Sequence, residues 1–169
     1  TDIETFVNMV DNQININGLV NTMRNNNFYN GKAVFISPNG MVVGASGVLN
    51  VGSLGVYTPN STDYNNFNKE NPTIAGLNNL TKSDANGAAP VTINGKVISS
   101  GDVEIMGGKV DIGKNAGIIG GVNNSQMKAI TSYDQATALF NNLVNTNNLT
   151  NGSQFISDEA GQIRITSQG

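Results

Sequence analysis

Short strand-like segments recur at a spacing of about 20 residues, and this repeat constrains the fold more than any other feature of the chain. Val91-x-Ile93 recurs as Val110-x-Ile112, and the run Ile93–Val97 resembles the run Met106–Val110. Each segment is followed by Gly or Asn-Gly, residues that tolerate positive φ and therefore suit tight corners. A repeat of this length, built from short strands and corners, is typical of stacked β-solenoid coils.

The alternative is an antiparallel β-sandwich, which would show hairpin turns at regular spacing. Only Ser37–Gly40 is a good hairpin candidate. Pro38 presets φ at the second position of this turn, Asn39 suits the third and Gly40 the fourth. The repeat favours the solenoid, and the length of 169 residues predicts one domain spanning residues 1–169.

Apolar patterning predicts where the individual elements lie. Strands are predicted at Gln13–Asn17, Ala33–Ile36, Met41–Gly44, Val48–Tyr57, Val91–Ile93, Lys96–Ile98, Val103–Ile105, Val110–Ile112 and Gln162–Thr166. Helical spacing predicts helices at Asp2–Val10 and Asp134–Val144. Residues 58–90 are polar and Asn-rich, and they are expected to form a loop excursion with one helical turn at Thr73–Leu80. Five or six coils would give a rod of roughly 25 Å.

Composition argues against several classes of function. The net charge is −3, and the basic residues are scattered between Arg24 and Arg164, whereas nucleic-acid binding needs a basic stripe. The sequence holds no Cys and no His, so disulfides, thiol chemistry and the commonest general base and metal ligand are missing. The longest apolar runs fall far short of the ~20 residues that cross a bilayer. We therefore expect no nucleic-acid partner, transmembrane segment, metal or cofactor.

Asn and Gly are both abundant, with 20 Gly residues. Asn can stack in hydrogen-bonded ladders between successive strands, which a solenoid would use. An AT-rich genome would raise the Asn content as well, so the composition alone does not separate these two explanations.

Asp102 and Glu104 are the one catalytic option that the sequence leaves. On a strand they would share a face at a separation of about 6.6 Å, which suits inverting glycoside hydrolysis. In the structural alternative, Val103 and Ile105 point inward and leave both acids on a solvated face. We favour that alternative and assign no catalytic residue, with a polysaccharide-active β-helix enzyme as the second hypothesis.

Three weaker patterns are interpreted structurally. The segment Asp11–Asn15 offers oxygen ligands but lacks the glycine and the terminal bidentate Glu of a calcium loop. A second pattern consists of four glycines whose spacing does not fit a dinucleotide-binding loop, so we interpret them as coil corners: Gly113, Gly117, Gly120 and Gly121. Packing on the solenoid, rather than binding to a partner, is expected for Leu139, Leu143 and Val144.

Two runs of the sequence carry a resemblance to a known family. They are Val34–Gly44, which contains Ser37-Pro38-Asn39-Gly40-Met41, and Gly47–Leu54, which contains Asn50-Val51-Gly52. They resemble the secretion domain of two-partner-secreted exoproteins, the family of filamentous haemagglutinins and large adhesins, and look closest to leukotoxin-like filamentous adhesins. Ser37 stands where the family usually has Asn, and Met41 where it usually has Ile. The close match covers Ile16–Pro59 and a looser one covers Val91–Ile119.

The resemblance implies an all-β fold, a right-handed parallel β-helix with helical or loop excursions near residues 1–10, 58–90 and 132–148. It implies a secreted or cell-surface location and a role in cell adhesion and virulence. An outer-membrane transporter, either a separate protein or a barrel on the same chain, would be the partner during export, and a cell-surface receptor would bind the full-length protein. Because Thr1 is not an initiator Met, we expect a fragment of a much larger exoprotein. The residues implied as its export and folding motif are Ser37, Pro38, Asn39, Gly40, Met41 and Asn50.

Overall fold

The computed structural model describes residues 4–67, 69–85, 88–114, 116–146, 154–157 and 162–166. Strands dominate this part of the chain, and helices are few. In chain order the elements are β1 (Thr5–Met9), β2 (Ile14–Ile16), β3 (Leu19–Asn21), β4 (Met23–Arg24), β5 (Asn27–Phe28), β6 (Lys32–Ile36), β7 (Met41–Val43), β8 (Val48–Val51), β9 (Ser53–Tyr57), α1 (Ser61–Asn66), α2 (Ile74–Thr81), β10 (Val91–Ile93), β11 (Lys96–Ser99), β12 (Val103–Met106), β13 (Val110–Ile112), β14 (Gly117–Ile119), a 3-10 helix (Asn124–Gln126), α3 (Tyr133–Thr146), β15 (Gln154–Ser157) and β16 (Gln162–Thr166).

The chain returns to each of three sheets at regular intervals and adds one strand to the sheet each time. Sheet 1 has the order β1-β6-β9-β12-β16-β15, sheet 2 the order β13-β10-β7-β2 and sheet 3 the order β14-β11-β8-β3. The chain visits sheets 1, 2 and 3 in that order and then begins again. We name the rounds coil 1 (β1-β2-β3), coil 2 (β6-β7-β8), coil 3 (β9-β10-β11) and coil 4 (β12-β13-β14).

Pairing between successive coils is parallel in all three sheets. Lys32 pairs with Ser53 and Val91 pairs with Val110, so the repeat is close to the predicted 20 residues where no insertion intervenes. These parallel registers confirm a strand-rich, solenoid-like fold and contradict the antiparallel sandwich.

The described residues form four such coils, so the prediction of five or six was wrong. The reason is that many residues lie in insertions, which do not form coils. The β4–β5 hairpin lies between coils 1 and 2, the excursion with α1 and α2 interrupts coil 3, and α3 follows coil 4.

The interior is a stack of aliphatic side chains. Val43 and Ile93 are in register across sheet 2, and Leu49 and Val97 across sheet 3, all fully buried. Each such side chain contributes about 1.5–3 kcal/mol through removal from water. The buried members of this core are Ile14, Ala33, Phe35, Met41, Val43, Leu49, Val51, Leu54, Val56, Val91, Ile93, Val97, Val103 and Ile105.

The outer faces of sheets 1 and 3 are also apolar and are covered by the insertions. On sheet 1, Val34, Ile36 and Tyr57 pack against Tyr64 of α1 and Leu80 of α2. The cluster on sheet 3 combines strand residues with α3, and its buried members are Val48, Ile98, Ile119, Val122, Met127, Ile130, Ala136 and Leu143. The outer face of sheet 2 differs, because Asn15 and Asp111 lie exposed along it. The excursions therefore complete the fold on two of its three sides.

The helix predicted at Asp2–Val10 was wrong. Residues Thr5–Met9 form β1, which pairs in register with Lys32–Ile36, while residues 1–3 lie outside the described part. The apolar spacing that suggested a helix is overridden because β6 offers β1 an edge of unpaired backbone groups. The other helical predictions are confirmed, by α2 at Ile74–Thr81 and α3 at Tyr133–Thr146, whereas α1 was not predicted.

Two strand predictions needed correction in detail. The run Val48–Tyr57 is two strands, because the chain turns from sheet 3 to sheet 1 at Gly52, where a Cβ would lie 2.5 Å from the Gly31 carbonyl oxygen. The predicted strand Gln162–Thr166 is present as β16. It pairs antiparallel with β12 and with β15, so it ends the parallel series in sheet 1.

Candidate functional site

The predicted export and folding motif forms a corner between sheets 1 and 2. Gly40 N donates to Ser37 O at 3.4 Å, which closes the turn over Pro38 and Asn39. Asn39 N donates to the Ser37 hydroxyl oxygen at 3.1 Å, and Gly40 has a φ of +91°, which Gly adopts without steric cost. The predicted turn is confirmed, but it is not a hairpin, because β6 and β7 leave it into different sheets.

Side chains of this corner bind the preceding coil. The Ser37 hydroxyl donates to Asn12 O at 2.7 Å, and Ser37 itself is only 1% exposed. The Asn39 side-chain amide donates to Asp11 O. The corner of coil 2 is thereby joined to the corner of coil 1 through two side chains. This contact uses the polar groups that a binding site would otherwise direct toward a ligand.

Backbone groups of the same corner bind the following coil. Ser37 N donates to Tyr57 O at 3.1 Å, and Met41 N donates to Pro90 O at 3.3 Å. A Cβ placed on Gly40 would lie 2.4 Å from the Pro90 carbonyl oxygen. Any larger residue at Gly40 must therefore displace coil 3 in addition to straining φ. The corner is a junction of three coils.

Met41 and Asn50 complete the predicted motif but serve other parts of the fold. Met41 is buried in the core, in register with Ile14 and Val91. Asn50 lies on sheet 3 and is fully buried. The structure thus brings Ser37–Met41 together and does not bring Asn50 to them.

Asn50 and Asn21 form one step of an asparagine ladder across sheet 3. The Asn50 side-chain amide donates to the Asn21 side-chain oxygen at 2.9 Å and to Lys128 O at 2.6 Å. The amide of Asn21 in turn donates to Ile130 O, and Ile130 N donates back to Asn21. The next coil places Ile98 in this register, which ends the ladder. The pair of asparagines therefore fastens the segment before α3 to the outer face of sheet 3.

The two candidate carboxylates lie on the rim of one small cavity. Asp102 is exposed and directly precedes β12, and Glu104 lies within β12 between the fully buried Val103 and Ile105. The cavity has a volume of about 170 Å³. The Tyr57 hydroxyl donates to Glu104 Oε1 at 2.7 Å. The inward orientation predicted for Val103 and Ile105 is confirmed, and Glu104 supports a buried tyrosine.

A charged cluster that the sequence did not reveal lies beside the corner. The Asp11 carboxylate accepts hydrogen bonds from the Tyr64 hydroxyl and from Lys69 Nζ, and Lys69 Nζ lies 4.5 Å from the centroid of the Tyr64 ring. We call these three residues the Asp11 cluster. Asp11 lies more than 50 residues before Tyr64 and Lys69 in sequence, so no local pattern could have indicated the cluster. The cluster fastens the excursion to the corner of coil 1.

The Asp11 cluster shifts the protonation equilibria of its members. The hydrogen bond from Lys69, and then that from Tyr64, lowers the pKa of Asp11. The hydrogen bond to Asp11 raises the pKa of Lys69. Burial is the largest cause that raises the pKa of Tyr64, followed by its hydrogen bond to Asp11. All three shifts favour the protonation states that hold the cluster together at neutral pH.

The glycines after β13 and the apolar side chains of α3 serve the fold. Gly113 N donates to Ile93 O and Gly121 N donates to Gly101 O, as expected of coil corners. The corner interpretation was wrong for Gly117, which lies in β14 and pairs with Lys96. Leu143 is fully buried and packs on sheet 3, which confirms the packing interpretation, and the side chain of Val144 lies outside the described residues. No His, Cys, Asp or Glu residues of the described part form a group of three that could hold a metal ion.

None of the described helices has the length and apolar character needed to cross a membrane. Comparison with protein family models, with curated proteins and with solved structures finds no match to this chain.

Proposed function

We propose that this chain is a secretion and folding scaffold segment of a large bacterial adhesin of the filamentous-haemagglutinin kind, without a catalytic role of its own. The observation that carries the proposal is the corner at Ser37–Gly40. Its side-chain and backbone hydrogen bonds are directed at coils 1 and 3. A motif of this kind stabilises the stacking of coils, which is what a folding nucleus requires.

The mechanism follows from the energetics of a solenoid. A single coil buries little surface, and stability accumulates as each added coil contributes its interface with the last. A protein that emerges outside the cell through a narrow pore has no ATP-driven chaperone there. A coil that forms early templates the next, so the junction of three coils would nucleate folding and favour export over return into the pore.

The finer assignments belong to the same proposal. The coils wind right-handedly, because nearly all connections between parallel strands of one sheet have that hand. The chain is secreted or displayed on the cell surface. An outer-membrane transporter is its partner during export, and the full-length protein binds a receptor on a host or bacterial cell.

The decisive experiment compares two glycines. Gly40→Val strains φ and meets the Pro90 carbonyl, whereas a Cβ added to Gly18 would have no atom within 4 Å, so Gly18→Val is the matched control. Each variant is expressed with a signal peptide and the cognate transporter, and both the secreted fraction and the Tm of the purified chain are measured. We expect Gly40→Val to reduce both quantities, and Gly18→Val to change neither.

A core variant, Leu54→Ala, separates export from stability alone, because the buried Leu54 pairs with Ala33, near the opposite end of β6 from the corner. Normal secretion of Gly40→Val would contradict the role of the corner. If Leu54→Ala loses as much secretion for each degree of lowered Tm as Gly40→Val does, the corner acts on export only through general stability. Polysaccharide cleavage that disappears in Asp102→Asn and Glu104→Gln would replace the proposal with the enzyme hypothesis.

A further inference from the structure

A polar cleft lies between α1 and α2 in the excursion. Its volume of about 650 Å³ falls within the range of sites for small molecules. Side chains from both helices and from the turn after α2 line it, among them Asp63, Asn66, Phe67, Asn79, Lys82 and Ser83. The cleft is distinct from the corner at Ser37–Gly40, and its function does not depend on the scaffold role proposed above.

One wall of the cleft is held in place by a hydrogen-bonded network. The Asp63 carboxylate oxygen Oδ2 accepts from the Asn60 amide at 3.0 Å and from the Ser83 hydroxyl at 2.7 Å. Asn60 also caps α1, since its Oδ1 accepts from Asp63 N at 2.8 Å. Ser83 is buried. The orientation of this carboxylate is therefore fixed before any ligand arrives, which lowers the entropic cost of binding.

The aromatic ring of Phe67 forms another part of the lining. Phe67 ends α1 and is half-buried. A Cβ on Gly76 would lie 3.3 Å from Phe67 Cε1, so the ring rests close to the backbone of α2. The absence of a side chain at Gly76 permits this approach. The ring is thus held between the two helices and contributes an apolar surface to an otherwise polar cleft.

The chemistry of this lining selects among ligand classes. Two carboxylates, Asp63 and Asp84, outnumber the single cation Lys82, which disfavours anions. The predominantly polar lining disfavours a lipid chain. Side-chain amides both donate and accept hydrogen bonds, as the hydroxyl groups of a sugar require, and an aromatic ring accommodates the C–H face of a pyranose. We propose that this cleft binds a neutral saccharide.

The test uses the whole chain labelled with ¹⁵N and titrated with neutral oligosaccharides, namely lactose, cellobiose, maltotriose and N,N′-diacetylchitobiose. We expect saturable shifts of the Gly76 backbone amide and of the Asn79 side-chain amide with at least one sugar. Asn79→Ala and Asn66→Ala should each weaken binding by about 3- to 10-fold, as loss of one hydrogen bond implies. Phe67→Leu, which keeps an apolar side chain but removes the ring, should weaken it further.

The matched control is Asn78→Ala. Asn78 is exposed on α2 beside Asn79 but does not line the cleft, so its loss should leave the Kd unchanged. Inorganic phosphate serves as the anion probe and should produce no saturable shift. The proposal is overturned if none of the sugars saturates, if phosphate binds in their place, or if Asn78→Ala weakens binding as much as Asn79→Ala.

Discussion

Coil 2 and the excursion at residues 58–90 show two different ways of using sequence in one fold. In coil 2, strands β6, β7 and β8 each pair on both edges, and nearly all of their residues are buried. The excursion buries only a few side chains, chiefly Tyr64 and Leu80, which anchor it to the outer face of sheet 1. Coil 2 is therefore fixed by strand pairing along its whole length, whereas the excursion is fixed mainly by a few buried side chains.

This difference explains why coil 2 has a regular pattern of apolar residues and glycine corners in its sequence and the excursion does not. A residue of coil 2 must fit the coil before it and the coil after it, so its identity is restricted on two sides. A residue of the excursion must fit at most one sheet face. We therefore expect perturbations of coil 2 to unfold the chain, and those of the excursion to act locally.

The largest effect is expected from a charge placed inside coil 2. Val51→Asp would bury an unpaired carboxylate at a position that is fully inaccessible to water, at a cost of more than about 4 kcal/mol. Val42→Asp is the matched control, because Val42 lies half-buried on the outer face of sheet 2. Circular dichroism and urea titration should find Val51→Asp unfolded and Val42→Asp folded. A cooperative transition of normal midpoint in Val51→Asp would contradict the assigned core.

A smaller difference is expected between two leucine truncations. Leu54→Ala leaves a cavity between coils and should lower the free energy of unfolding by about 3–5 kcal/mol. Leu80→Ala removes an anchor of the excursion, where the surrounding chain can relax, so a loss near 2 kcal/mol is expected. Urea denaturation measures both values. Equal losses would show that the excursion is as tightly coupled to the fold as coil 2.

Native-state hydrogen exchange would rank the two regions without mutation. Amides of Val34–Ile36 and Val48–Val51 should exchange slowest, since their strands are bonded on both edges. Amides in α1 and α2 should exchange fastest among the described helices and strands, because the excursion opens without separating the coils. We expect intermediate rates at Ile163–Ile165, in the antiparallel end of sheet 1. If the amides of α2 are as strongly protected from exchange as those of β8, the excursion is as stable as coil 2 and the predicted difference between them is wrong.

The same contrast governs how much of the fold was predictable from the sequence. The strands of coils 2 and 3, and strands β12 and β13 of coil 4, were predicted because inward Val and Ile side chains repeat with the coil and Gly marks the corners. Strand β14 was missed, because its first residue, Gly117, was interpreted as a corner. The strand β1 was mistaken for a helix, since its partner β6 lies 27 residues away and the local apolar spacing suits both structures. The antiparallel pairing of β16 was missed for the same reason, because orientation is set by the distant strand β12.

The site was predictable where its chemistry is local. The turn at Ser37–Gly40 was predicted, because the steric preferences of Pro38 and Gly40 act within four residues. Its contacts to Asn12 and Pro90 were not, because they depend on the stacking of coils. The Asp11 cluster was missed because its three residues approach one another only after the excursion folds onto sheet 1.

The smallest predicted effect concerns the pH dependence of that cluster. The pKa of Asp11 is lowered in the folded chain, so this group adds stability above the ordinary carboxyl pKa of about 4. That contribution is lost as the pH falls through the lowered pKa. The pKa values of Lys69 and Tyr64 are raised, so their contribution is complete below their ordinary values near 10 and is lost as the pH rises through the raised values.

These contributions are modest, because Asp11 and Lys69 are largely exposed and solvent screens their interaction. Urea denaturation at pH 7, at pH 3 and above pH 10 measures them. Asp11→Asn should weaken the acid and alkaline dependence together, since Asp11 contributes to the shifts of both partners. Tyr64→Phe keeps the ring beside Lys69 and removes one of the two donors to Asp11, so only part of the acid dependence should disappear. If Asp11→Asn follows the parent chain across the whole pH range, the cluster does not fasten the excursion, and its attachment depends on Tyr64 and Leu80 packing alone.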